Sequence, residues 1–281
     1  MLATFLIGLR EGMEAALVVG ILVAYLVRTG RREHLRHVWV GVAAAVALSA
    51  ALGGVLATAP AELGERTEEV LAGVLSILAV GLVTWMIFWM ARTARHLRAD
   101  LEARLGGAVA SGGVAVAVLA FLAVAREGVE TAVFLWAGAT ATAGTAPLVG
   151  VVLGLGTAVV LGWGVYAGAV RLDLRAFFTW TGYALVVVAA GVLAYGVHEL
   201  AEVGVLPETP TAYDVSGVIA ADSGLGTVLR GLVGFRPAPM WLEVAVWWAY
   251  LVPTALLYTR ALRPRRPAPA PAEPETAPVA A

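Results

Sequence analysis

Two short stretches of this sequence place an arginine and two glutamates inside runs of apolar residues. Residues 9–20 read LREGMEAALVVG, and residues 125–136 read AREGVETAVFLW. Both contain the pattern R-E-G-x-E, whose charged residues are Arg10, Glu11 and Glu14 in the first stretch and Arg126, Glu127 and Glu130 in the second. Residues three or four positions apart share a helix face, so each pattern predicts two carboxylates pointing the same way, with an arginine able to pair with the second.

These charged residues indicate a functional site, because charges within an apolar, membrane-spanning segment are energetically costly. A single charge at the centre of a bilayer costs about 2.5–3.5 kcal/mol. Carboxylate oxygens are hard ligands, and four of them can replace the water shell of a multivalent cation. Carboxylates on helices can also relay protons. The residues therefore indicate a cation pathway or a proton relay, and they disfavour a purely structural clamp, because buried ion pairs stabilise poorly after desolvation.

The composition predicts an integral membrane protein. The chain has 281 residues, of which 60% are hydrophobic and 14% are charged, and its mean hydropathy is +0.85; soluble domains carry roughly 25% charged residues. There is no cysteine, which excludes disulfides, thiolate metal sites and cysteine nucleophiles. No nucleotide-binding motif is present, and nothing indicates an organic cofactor, nucleic-acid binding or an enzyme.

Seven segments are apolar enough to span a membrane, for which about 20 residues are needed. The first lacks a preceding positive region, so we expect it to be retained as a helix and not cleaved as a signal peptide. The segments are Leu2–Val27, Val38–Thr58, Val70–Met90, Val109–Gly138, Pro147–Val170, Phe177–Leu200 and Pro239–Tyr258.

The distribution of arginine predicts the orientation. Fourteen arginines lie in the first, third and fifth loops and in the tail, three lie in the other loops, and the last two belong to the motifs. By the positive-inside rule, the N-terminus is outside and the C-terminus inside. Residues 92–108 are predicted to form a cytosolic connector, part of which could fold as an amphipathic helix. The Pro/Ala-rich residues 261–281 are predicted to form a disordered cytosolic tail.

The two motifs belong to an internal repeat. Residues 5–16 and 121–132 are identical at seven of twelve positions, at an offset of 116. The first and fourth helices run in opposite directions, so we expect an inverted repeat with both motifs near the midplane. The predicted units are residues 1–91 and 109–202 as the two three-helix repeats, 203–238 as an extracytoplasmic loop, and 239–260 as a seventh helix.

Other residues are weaker candidates. His198, Glu199 and Glu202 cluster at the outer end of the sixth helix and could hold a metal ion, while Asp214 and Asp222 could guide cations. Glu243 is expected at the membrane interface. Gly12 and Gly128 let a neighbouring helix or an ion approach closely, and the G-x-x-x-G pair Gly150 and Gly154 predicts helix packing.

The doubled R-E-G-x-E motif in a seven-helix chain resembles the oxidase-dependent iron permease family, which has bacterial members and includes the fungal high-affinity iron permeases. The resemblance runs from about residue 4 to 260. Two further stretches support it, GVHELAEVGVLP (residues 196–207) and YDVSGVIAADSGLGTVLRGLVGF (residues 213–235).

The resemblance implies iron import across the cell membrane of a bacterium, with Fe²⁺ or Fe³⁺ as the transported substrate. It implies that Glu11, Glu14, Glu127 and Glu130 ligate iron between two balancing arginines. It also implies that outer acids, here Glu65 and Glu68, collect iron, and that a periplasmic iron-binding protein and a haem peroxidase act as partners. A homo-oligomer is possible. The alternatives are a proton-coupled exchanger that uses the same glutamates, and a non-transporting membrane subunit or metal sensor.

Overall fold

The computed structural model describes residues 1–57, 65–93, 97–140, 146–167, 173–220 and 223–263. Within these ranges the regular structure is helical, apart from one isolated antiparallel bridge between Thr211 and Met240. A single turn of 3-10 helix covers Arg32–His34. The α-helices are α1 (Leu2–Arg28), α2 (Leu35–Ala57), α3 (Glu65–Thr93), α4 (Leu97–Ser111), α5 (Gly113–Thr140), α6 (Ala146–Tyr166), α7 (Leu174–Glu202), α8 (Gly224–Val233) and α9 (Trp241–Leu262).

Five helices, α2, α3, α6, α7 and α9, are long and apolar enough to cross a membrane. They leave large apolar side chains such as Leu82, Val160 and Leu257 exposed, as a surface against lipid does. Helices α1 and α5 have 27 and 28 residues, more than the roughly 20 that a span needs. Each of them also carries the three charges of one motif. This helix content is that of an integral membrane protein.

The long helices pack in pairs. Helix α1 packs mainly against α6, α2 against α5, and α3 against α7, while α9 lies against α7 and α3. Helices α1 and α5, which carry the motifs, also contact each other. The site residues are therefore enclosed by neighbouring helices on several sides.

Glycines make the closest of these contacts possible. A Cβ on Gly8 of α1 would overlap the backbone of Val151 of α6. In the other direction, a Cβ on Gly150 would overlap Thr4, and one on Gly154 would overlap the backbone of Phe5. The prediction that the G-x-x-x-G of α6 packs against a helix is confirmed, and its partner is α1.

The start of the fourth predicted span was wrong. The sequence placed it at Val109, but α4 continues to Ser111 and α5 begins at Gly113. Between them Gly112 has a φ of +103°, a backbone conformation that residues other than glycine rarely adopt. The apolar composition runs through this break without a change, so hydropathy could not locate it.

The segment expected to be an extracytoplasmic loop contains a helix. Helix α8 begins after Ser223, whose hydroxyl accepts a hydrogen bond from the backbone N–H of Gly226 at 3.0 Å. It ends at Gly234, which has a φ of +70°. Serine at the start and left-handed glycine at the end are the usual helix signals, and ten residues were too short for a span-length search.

Candidate metal centre

The first motif lies in the first half of α1 and is fully enclosed. Arg10, Glu11 and Glu14 are 2%, 1% and 2% exposed. The Nε of Arg10 donates to Oε1 of Glu14 at 3.2 Å, four residues further along the helix. The predicted arginine–glutamate pair of this motif is therefore confirmed.

The second motif lies in the middle of α5 and is more open. The Nε of Arg126 donates to Oε1 of Glu130 at 3.1 Å and lies 3.6 Å from Oε1 of Glu127. The guanidinium also stacks over the ring of Trp89 in α3, 4.0 Å from its centroid. The Arg126 side chain is 42% exposed, and those of Glu127 and Glu130 are 8% and 23% exposed. The two matching motifs therefore have different surroundings.

Three glutamates from the two motifs meet. One carboxylate oxygen each from Glu11, Glu14 and Glu127 lies within 4.8 Å of the other two, and all three residues are buried. We call these residues the glutamate triangle. Sequence reasoning expected four carboxylates together, but Glu130 lies outside the triangle and pairs with its arginine.

The triangle has unused hydrogen-bonding capacity. Among the described residues, no N–H or O–H group donates to either oxygen of Glu11 or to Oε2 of Glu127. Buried polar atoms are normally satisfied, and a charged one without a partner is costly. Three converging acceptors with few donors suit a cation, because a metal ion can accept electron pairs from all three at once.

The motif glycines bring other helices against the site. A Cβ on Gly12 would overlap Ala158 of α6, and a Cβ on Gly128 would overlap Ser49 of α2. The close approach expected at these glycines is thus made by a helix. A bulkier residue would push α6 or α2 away from the carboxylates beside the glycine.

The polar cluster at the C-terminal end of α7 is arranged around His198. Its Nδ1 lies 2.9 Å from Oε1 of Glu243, and its Nε2 lies 3.0 Å from Oε1 of Glu202. Glu199 lies instead beside the hydroxyl of Tyr195, one turn earlier on α7. The two carboxylates lie beside different ring nitrogens, and the hydrogen bond from Nδ1 to Glu243 links α7 to α9. Among the described residues, His198 therefore does not converge with Glu199 and Glu202 on one point.

Glu243 is a residue whose role sequence reasoning missed. The sequence predicted only a position at the membrane interface for Glu243; in the structure the residue is also buried within the protein, at 3% exposure. Besides binding His198, its Oε1 accepts the backbone N–H of Met240 at 3.1 Å, which caps the start of α9. A glutamate in the first turn of a helix is a recognisable cap signal, but its histidine partner is 45 residues away and could not be read from the sequence.

The remaining acidic candidates have local roles or fall outside the described part of the structure. Asp214 accepts hydrogen bonds from the hydroxyl and the backbone N–H of Ser216 at 2.6 and 2.9 Å, and these bonds lower the pKa of Asp214. Near it, burial first and then the charge of Glu243 raise the pKa of Tyr213. The side chains of Glu65 and Glu68 in α3, and the whole of Asp222, lie outside the described part of the structure.

Comparison with known proteins gives the class to which this chain belongs. Its residues 1–262 match the Iron permease FTR1 family. Among curated proteins, it is 40% identical over 269 residues to the ferrous iron permease EfeU of Shigella sonnei (strain Ss046), covering 94% of this chain and 97% of that protein. The same figures hold for the protein of that name from Escherichia coli O157:H7.

A more distant relative agrees. The ferrous iron permease EfeU of Yersinia pestis is 37% identical over 262 residues, with 92% of this chain and 93% of that protein covered. No solved structure matches this chain. The chain belongs to the Iron permease FTR1 family, whose members are transporters and not enzymes. The resemblance that the doubled motif indicated is confirmed.

Proposed function

We propose that this protein imports Fe²⁺ through a site near the middle of the membrane, and that the glutamate triangle strips the ion of its water. The observation that carries this proposal is the convergence of three buried carboxylate oxygens within 4.8 Å. A point equidistant from three such oxygens lies about 2.8 Å from each. Small divalent ions bind oxygen at about 2.1 Å, so each carboxylate needs to move by roughly 0.7 Å.

The charge of the two motifs favours a divalent ion. Four glutamates and two arginines leave a net charge of −2 when all six are ionised. An Fe²⁺ ion neutralises that charge, whereas Fe³⁺ leaves an excess positive charge in a medium of low dielectric constant. The names of the EfeU relatives also specify ferrous iron. Arg10 and Arg126 limit the repulsion between the carboxylates when no ion is bound.

We propose further that the chain is an inverted repeat of seven spans, with α1–α3 and α5–α7 as the halves and α9 as the seventh. The helix pairing supports this. Exchanging the two halves replaces α1 by α5 and α6 by α2, so the α1–α6 pair becomes the α5–α2 pair, and both pairs are present. Contacts of Gly12 with Ala158 and of Gly128 with Ser49 follow the same rule. The arginine distribution supports a periplasmic N-terminus and a cytoplasmic C-terminus in the inner membrane.

The outer acids complete the route. Glu202 and His198 lie at the end of α7 that this topology places outside, where they could collect cations, and Glu199 lies beside them. Glu65, Glu68 and Asp222 stay candidates from the sequence alone. Delivery by a periplasmic iron-binding protein and a haem peroxidase, and a homo-oligomeric state, stay predictions from the family resemblance.

Radioactive iron uptake into proteoliposomes tests the proposal. Iron is offered anaerobically as Fe²⁺ and separately as Fe³⁺, with and without a pH gradient. We expect Fe²⁺ uptake by the wild type and by the exposed control Glu208→Gln, and none by Glu14→Gln or Glu127→Gln. Normal uptake by a folded Glu14→Gln protein would contradict the proposed path, and metal-independent proton flux would instead indicate an exchanger.

A further inference from the structure

A cavity lies along the second half of α1, on one side of the glutamate triangle. Its volume is about 390 Å³, several times the roughly 30 Å³ that one water occupies in the liquid. Its wall on α1 includes Met13, Leu17, Gly20 and Ala24, and parts of α6 and the start of α7 close the other side. We call it the inner cavity.

The inner cavity continues the face of α1 that carries Glu14. Leu17 and Ile21 follow Glu14 at three and seven positions, which is the spacing of one helix face, and both line the cavity. Met13, which is 1% exposed, lies at the end nearest the triangle. From Met13 to Arg28 the helix rises about 22 Å. The cavity therefore runs from Met13, the residue before Glu14, towards the end of α1 that the arginine distribution places inside.

An ion pair stands at the far end. The Nη2 of Arg28 donates to Oε1 of Glu102 in α4 at 3.3 Å, and both residues line the cavity. Their side chains are 61% and 28% exposed, so this end meets solvent. Helix α4 is held there by Leu101 and Leu105, which are buried in the same core cluster as α1.

We propose that the inner cavity is the route by which the cation leaves towards the cytoplasm, and that the Arg28–Glu102 pair closes it. This inference rests on the proposed function for the identity of the cargo. In the cavity, Glu102 is the carboxylate that the departing cation meets. An incoming cation displaces the guanidinium of Arg28 from Glu102.

The lining of the cavity suits release and not retention. Apart from Arg28, Glu102 and two tyrosines, the described wall is made of apolar side chains and glycines. Conduction requires sites that bind weakly enough for the ion to leave, and an apolar passage can be closed by losing its water. The strong oxygen ligands are therefore confined to the triangle, and the exit contains one carboxylate held by an arginine.

Cysteine labelling tests whether the cavity contains water and opens inwards. The chain has no cysteine, so a single introduced thiol is the sole target. Ala24→Cys lies in the cavity wall, and Val40→Cys on α2 is a control that is 63% exposed on the outer surface of the bundle, at a similar distance from the inner end of its helix. A membrane-impermeant thiol reagent is added to inside-out vesicles and, separately, to spheroplasts.

We expect Ala24→Cys to react roughly a hundredfold faster than Val40→Cys, and only from the inner side, because the reactive thiolate forms in water and not in lipid. Adding Glu102→Gln to Ala24→Cys should raise the rate severalfold by releasing Arg28. Equal rates for the two cysteines would mean that lipid fills the cavity and would overturn the proposal, as would labelling from the outer side alone. This readout needs no iron transport, so it is independent of whether iron is the cargo.

A plug in the cavity tests its use. A Cβ on Gly20 meets no atom within 4 Å, and the same holds for Gly81 on the exposed surface of α3. We expect Gly20→Leu to lose iron uptake while the purified protein still binds Fe²⁺, and Gly81→Leu to keep both. Normal uptake by Gly20→Leu would refute the exit route and leave the proposal for the triangle intact. Absence of Fe²⁺ binding in the purified wild type would instead refute the proposal that the glutamate triangle holds iron.

Discussion

Replacing Glu11 with glutamine should stabilise the empty protein and at the same time weaken iron binding about a hundredfold. Neither oxygen of Glu11 has a hydrogen-bond donor among the described residues, and Glu14 and Glu127 each bring an oxygen within 4.8 Å of it. At an effective dielectric constant of 20, two carboxylates at that distance repel each other by about 3 kcal/mol. Glutamine removes two such repulsions and supplies an N–H₂ group that can donate to the neighbouring carboxylates.

The net gain is smaller than the sum, because Arg10 already offsets part of the repulsion. We expect about 2 kcal/mol, which corresponds to a rise in Tm of roughly 4–8 °C for a chain of this size. The same substitution should lower the affinity of the protein for Fe²⁺. A divalent ion about 2.8 Å from a carboxylate, before the ligands move inwards, gains about 12 kcal/mol at the same dielectric constant. If the neutral glutamine oxygen keeps three quarters of this attraction, the loss is about 3 kcal/mol. A loss of that size lowers the affinity for Fe²⁺ about a hundredfold.

Thermal unfolding in detergent measures both effects. The nine tryptophans provide an intrinsic fluorescence signal, and the melts are run anaerobically with and without Fe²⁺. The wild type should gain stability from saturating Fe²⁺ by mass action, and Glu11→Gln should melt higher without iron and gain much less from it. Exposed Glu208→Gln is the matched control. A Glu11→Gln protein that melts lower and keeps the full iron-dependent shift would refute the reasoning.

Three further predictions follow from the contacts. Glu130→Gln should reduce Fe²⁺ uptake less than Glu14→Gln, because Glu130 lies outside the triangle and is partly exposed; equal losses in a flux assay would contradict this ranking. Gly154→Ala should lower Tm because its Cβ would overlap the backbone of α1. The control Gly156→Ala should raise Tm slightly through better helix propensity, because no atom lies within 4 Å of its Cβ. Similar changes in Tm for the two variants would argue against the packing of α6 on α1. Glu243→Gln should cost about 1–2 kcal/mol by weakening the bond to the α7 histidine, which a denaturant or thermal melt of the purified protein would detect, and an unchanged melt would mean that the bond contributes little.

Much of the fold could be predicted because bilayer solvation leaves a strong signal. Hydropathy alone located five spans to within a few residues, since each must cover the same thickness of hydrocarbon. It could not locate the break at Gly112 or helix α8. The first lies within continuous apolar sequence, and the second is a ten-residue helix outside the spans.

The candidate site was predictable within each helix but not between helices. The spacing of Arg10 and Glu14 predicted that they can pair, because four residues make about one turn, and the structure contains this pair. Nothing in that spacing could show that Glu127 joins the α1 glutamates while Glu130 stays outside, because the depth and rotation of α5 decide it. The stacking of Arg126 on Trp89 and the pairing of Arg28 with Glu102 were equally out of reach, since each joins separate helices.

Iron K-edge X-ray absorption on the Fe²⁺-loaded protein tests the central claim most directly. The proposal predicts a nearest-neighbour shell of oxygen atoms alone, at about 2.1 Å, with one ion per chain. The signal should disappear in the variant that replaces Glu11, Glu14 and Glu127 with glutamine, and it should persist in His198→Gln. Binding that survives in the triple variant, or a shell containing imidazole nitrogen that is lost in His198→Gln, would show that iron is held elsewhere.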